Sequence, residues 1–142
     1  MTETDAPALP ERLRLVVTRL ARRLRQQAEA PISPTQSAAL ATIERRGPLT
    51  LGELAEIERV QPPTITAAVG RLEEQGLVAR QRDPDDLRVA RVQVTTAGRR
   101  LLKETRSRKS AYLERRVGEL SGRDRATLER AAAILERLLE DQ

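Results

Sequence analysis

The hydroxyls of Thr64 and Thr66 stand two residues apart in VQPPTITAAV (60–69), a stretch otherwise small or apolar. A threonine hydroxyl both donates and accepts a hydrogen bond, and the methyl beside it offers apolar contact. Those groups can meet base edges or phosphates in a nucleic-acid groove, and threonine, alanine and proline carbons can touch thymine methyls. Gln61 adds an amide that could point at a base; a solvated glutamine is an equal reading. A second cluster, RDPDDLR (82–88), sets Asp83, Asp85 and Asp86 among arginines. Three acids look wrong for a nucleic-acid contact, and a solvated turn with a surface ion pair accounts for them.

Other chemistries are excluded by what the 142 residues lack. There is no cysteine and no histidine. Disulfides, Cys/His zinc sites, thiol redox sensing and histidine acid–base catalysis are therefore out of reach. No nucleophile–base pair, phosphate loop or acidic metal loop is present, so no enzyme, cofactor or metal is expected. Nothing resembles a signal peptide or a bilayer span, which points to a cytoplasmic protein without a membrane partner. Net charge is +5 with a pI near 10.8. That balance suits a polyanion partner, although an arginine-rich composition from a GC-rich genome explains it equally. The charge is unevenly placed: +3 over residues 1–49, −2 over 50–95 and +4 over 96–142. Attraction to DNA would thus depend on selected cations: Arg71, Arg80, Arg82, Arg88 and Arg91, with Arg99, Arg100 and Lys103 nearby.

The elements that would position these groups follow from periodicity. Leu13, Val16, Val17, Leu20 and Leu24 mark one face of an amphipathic helix starting near Glu11 and ended by Pro31. SPTQ (33–36) and TLGE (50–53) are capping boxes, each opening a helix; SGRD (121–124) reads as a third. Residues 1–9 read as a frayed start. Pro62 and Pro63 suit the first positions of a further helix, where the backbone N–H has no partner; that helix stops at Gly76. Alternation in LVARQR (77–82) and VARVQVT (89–95) predicts a hairpin. Thr95 or Thr96 caps a long helix to about 118, and a last helix carries Leu128, Ala131, Ala132, Leu135, Leu138 and Leu139. With one aromatic, Tyr112, the core must be built from Leu, Val, Ile and Ala. The fold class is mainly α with a small β wing. Two short helices followed by a two-stranded ribbon make a winged helix-turn-helix.

At about 100° per residue, the helix after the prolines turns Ile65, Val69 and Leu72 inward with Ala68 beside them. Pro63, Ala67, Gly70 and Glu74 face outward, flanked by Thr66 and Arg71. A small outward face lets a helix backbone approach a groove floor closely.

Four motifs in fixed order, LTxxELA (49–55), TIT…V..LE..GLV (64–78), DPxDxR (83–88) and VxVTxxG (92–98), resemble the MarR family of bacterial winged-helix regulators. The order of the terminal helices is similar as well. The resemblance implies a homodimer, with interlocking terminal helices (1–32 and 97–142) around a DNA-binding region (33–96). It implies a ligand-responsive repressor on a palindromic operator in double-stranded DNA. Asp86 would hold Arg88 by a local ion pair, and Arg88 would enter a narrow A·T-rich minor groove. The candidate DNA contacts are then Gln61, Pro62, Pro63, Thr64, Thr66, Ala67, Gly70, Arg71, Arg82, Asp86 and Arg88. A small-molecule effector would sit between the dimer helices and the winged region, with Leu13, Val17, Leu40 and Tyr112 as candidate lining. The lack of cysteine excludes the thiol-oxidation branch. The chain departs from the commoner pattern at Ala67, where a basic residue is frequent, at Gln61, where serine is, and at Leu87, where arginine is. The alternative is a winged helix serving protein–protein interaction without specific DNA binding, favoured by the net acidic middle segment.

Overall fold

A computed structural model describes residues 6–140; the first five residues of the expected frayed start lie outside them. The order is α1 (Leu9–Ala28), α2 (Pro34–Arg46), α3 (Leu51–Glu58), α4 (Pro62–Glu74), β1 (Val78–Arg82), β2 (Ala90–Val94), α5 (Thr96–Gly118) and α6 (Gly122–Glu140). Among the described residues no helix is long and apolar enough to cross a membrane.

Local sequence sets most boundaries. Ser33 and Thr50 each accept from the backbone N–H three residues on, while Gln36 and Glu53 reach back to the cap N–H, so both boxes are complete. The third is half made. Ser121 Oγ accepts from Asp124 N at 3.1 Å, but no reciprocal bond is present among the described residues; aspartate is one methylene shorter than the glutamate such a box needs. Helix α1 begins at Leu9 and stops at Ala28, three residues before Pro31. Glu29 turns left-handed there (φ 51°), and Arg108 of α5 donates to the Ala28 carbonyl at 2.8 Å. That carbonyl would otherwise be an orphan of the helix end.

Helices α2, α3 and α4 close around Leu40, Ile43, Leu54, Ile65, Val69 and Leu72, with Val92 of β2 as the lid. After α4, Gly76 adopts φ 71°. Its N–H bonds to the Glu73 carbonyl and that of Leu77 to the Leu72 carbonyl, the paired bonds of a glycine-terminated helix. This turn aims the chain directly into β1, which pairs antiparallel with β2, Val78 opposite Val94 and Arg82 opposite Ala90. Leu49 adds one residue of a third strand, exchanging bonds with Val92 at 3.1 and 2.7 Å. At the hairpin base Gly98 is required by closeness: a Cβ there would lie 2.2 Å from the Leu77 carbonyl oxygen. Helix α5 packs against α1 and against the core, whereas α6 has no buried residue.

Candidate nucleic-acid interface

Helix α4 presents the outward face expected from its periodicity. Ile65, Ala68, Val69 and Leu72 are buried; Pro62, Pro63, Thr64, Thr66, Ala67 and Arg71 are exposed. Gly70 is half-buried with open space around it, since a Cβ there would meet nothing within 4 Å. It is therefore not demanded by internal packing.

The start of α4 differs from an ordinary helix N-terminus. Pro62 and Pro63 have no N–H to offer, and those of Thr64 and Ile65 both bond to the Gln61 carbonyl, at 3.0 and 3.2 Å. Helix N-termini commonly hold phosphates with free N–H groups; here the first turn has none left for that use. Gln61 occupies the cap position with no side-chain cap bond, so its amide stays available. Thr66 Oγ1 donates to the Pro62 carbonyl at 2.9 Å. Its proton is committed, and it faces outward with its acceptor lone pairs and its methyl. The Thr64 hydroxyl makes no such bond among the described residues.

The hairpin loop organises its acids around its arginines. Asp86 accepts from Arg88 Nε at 3.1 Å, from Nη2 at 3.3 Å and from the Arg88 backbone N–H at 3.1 Å. The side-chain bond first, then the backbone bond, holds the Asp86 carboxyl below its ordinary range. The Arg88 side chain remains 90% exposed. Asp83 pairs with Arg91 at 2.7 Å and accepts from the Asp85 N–H; the Arg91 bond lowers the Asp83 carboxyl, and the same bond raises Arg91. Arg80 pairs with Glu73 of α4 at 2.5 Å. Arg82 Nη1 donates to the Leu87 carbonyl at 2.6 Å. Of the five local cations expected to attract DNA, only the exposed Arg71 has a side chain that makes no hydrogen bond or ion pair among the described residues. The three ion pairs are solvent-accessible at one end or both, hence weak, and a phosphate can compete for their arginines.

The four residues expected to line an effector pocket do not come together. Leu40 lines a cavity of about 420 Å³ between α1, α2 and α5, where Arg22, Arg25, Arg106 and Lys109 surround an apolar floor including Ile32 and Leu101. Tyr112 lines a separate groove with Val16 and Leu20. Leu13 and Val17 line neither. The α1 and α5 cations of this cavity stand far apart in sequence, Arg22 and Arg25 against Arg106 and Lys109, and leave no local pattern, which is why the cavity was not legible.

A family model for the MarR family matches residues 32–90. An uncharacterised HTH-type transcriptional regulator of Mycobacterium leprae is 36% identical over 142 residues, covering 99% of each chain. The structure of a MarR family protein from Bacillus stearothermophilus is 30% identical and covers 92% of both chains with a TM-score of 0.77. A MepR mutant of Staphylococcus aureus bound to an oligodeoxyribonucleotide shares the fold at 20% identity, with a TM-score of 0.71 over 95% of this chain and all of the other. The chain belongs to the MarR family of winged helix-turn-helix, DNA-binding transcriptional regulators.

Proposed function

We propose that the protein represses transcription as a homodimer on a palindromic operator, inserting α4 into the major groove and the wing loop into the minor groove. The observation that carries this is the pairing of a smooth, exposed α4 face with an arginine held outward by Asp86 at the loop tip. Close approach by α4 lets Gln61, Thr64 and Thr66 reach base edges, and lets the Pro63 and Ala67 carbons meet thymine methyls. Arg71, Arg80 and Arg91 reach phosphates, Arg82 is held at the Leu87 carbonyl, and Arg88 enters a groove whose narrow A·T tracts attract it. A regulator of this kind works on the chromosome, hence in the cytoplasm, and excludes polymerase by occupying the same DNA.

The cavity beside Leu40 is the proposed effector site. Four cations over an apolar floor suit a small anion with a hydrophobic body, and such a ligand would bridge α1 and α5 to α2, coupling the terminal helices to the winged region.

Footprinting on the DNA upstream of the protein's own gene tests the main reading. Two protected half-sites should lie about one helical turn apart on one face of the duplex. Binding that a random duplex competes equally well would favour the protein-interaction alternative or mere charge attraction.

A further inference from the structure

We propose that Leu87 enters the minor groove together with Arg88, and that Arg82 is the positioning residue for both. This rests on the reading of the wing as a DNA contact. The argument lies in how the tip is fastened. Val89 N donates to the Asp86 carbonyl at 3.0 Å, closing a four-residue turn whose corners are Leu87 and Arg88. Asp86 Oδ1 holds the Arg88 N–H, and Arg82, from the opposite arm of the hairpin, holds the Leu87 carbonyl. The corner backbone is thus tied from both sides while its two side chains project: Leu87 is 65% exposed beside the still more exposed Arg88.

A single exposed leucine is ordinary on a protein surface. This one sits at the corner of a turn that already presents a cation, and its carbonyl occupies a guanidinium that could otherwise seek phosphate. The pair has the composition of a minor-groove reading head. A guanidinium suits the negative floor of an A·T tract, and an apolar side chain packs on the sugar walls or wedges at a flexible base step. Where a second arginine would add a phosphate contact, leucine adds apolar contact that salt does not screen.

The test measures affinity across a salt series for a duplex selected by the wild-type protein from a random-sequence pool. L87A should bind about five- to tenfold more weakly, the size expected for losing part of one buried leucine, with the salt slope unchanged. R82M should lose a similar factor, also at unchanged slope, and the double variant should lose little more than either. Wild-type affinity in L87A would overturn the leucine contact. Wild-type affinity in R82M, or a slope smaller by about one, would overturn the positioning role, the latter making Arg82 a phosphate contact. R88A is the control: if it too binds normally, the wing does not reach DNA and the underlying reading fails. All three side chains are exposed, so the substitutions leave the core intact.

Discussion

Asp86 accepts from Arg88 at both carboxylate oxygens, so the acid that looks misplaced in a DNA-contacting loop fixes the direction in which the guanidinium leaves it. Its acidity is a direct readout of that arrangement. Because its folded-state pKa is depressed, the bond contributes at and above the ordinary aspartate value, about 3.9. The contribution is lost as pH falls through the lower folded value. Loop order should therefore hold through neutral and mildly acidic pH and loosen only below about pH 4. Carboxyl NMR titration should place the Asp86 midpoint below that of an ordinary aspartate. R88A should raise it, but not fully, because the Arg88 backbone N–H still donates. A midpoint at or above the ordinary value in the wild type would dissolve the pairing. The Asp86–Arg88 pair was legible only through the family resemblance that DPxDxR carries; the residues alone read equally well as a solvated turn. Arg91–Asp83 and Arg80–Glu73 were not legible, since they depend on hairpin register and on how β1 leaves α4. The counted local cations were thus largely engaged before any DNA arrives.

At the scale of the element, the outward face of α4 makes the sharpest claim. Ala67 is exposed at its centre, and glutamate is a good helix former, so Ala67→Glu should leave the fold and the oligomeric state intact. It would set a carboxylate against the groove floor, where like-charge contact costs several kcal/mol. Operator affinity should fall about 100-fold or more in an electrophoretic shift assay, while circular dichroism stays unchanged; normal binding would mean that another face of α4 meets DNA. Gly98→Ala tests the junction of wing and α5. Its Cβ would collide with the Leu77 carbonyl oxygen and with Val94 Cγ2, a backbone atom and a buried side chain. Chemical denaturation should show a loss of about 1–3 kcal/mol, whereas a neutral result would show that α5 slides away freely. The capping boxes at 33–36 and 50–53 and the α4 face were readable because each is written in residues three or four apart, and the hairpin because its strands alternate every second residue. The Leu49 bridge to Val92 was not, as a single paired residue has no periodicity to betray it.

The whole molecule, as one chain, leaves an apolar surface that water does not suit. Val16, Val17 and Leu20 of α1 and Leu128, Ile134, Leu135, Leu138 and Leu139 of α6 are all exposed. Helices in proteins are stabilised mostly by packing an amphipathic face, and α6 has no buried residue to supply that within one chain. A second copy would bury both stripes about a two-fold axis, and the same axis would set two α4 helices on successive grooves. Leu138 is 60% exposed on a helix with no buried residue, so Leu138→Asp should separate the copies without unfolding the winged region. Sedimentation equilibrium should show a dimer for the wild type and a shift toward monomer for the variant. Linking two half-site contacts raises affinity by about 10²–10⁴ over one. The variant should therefore lose a factor of that order on the full operator but bind an isolated half-site as the wild type does. If the wild type sediments as a monomer and protects a single half-site, the apolar stripes serve another partner and the palindromic operator goes with them.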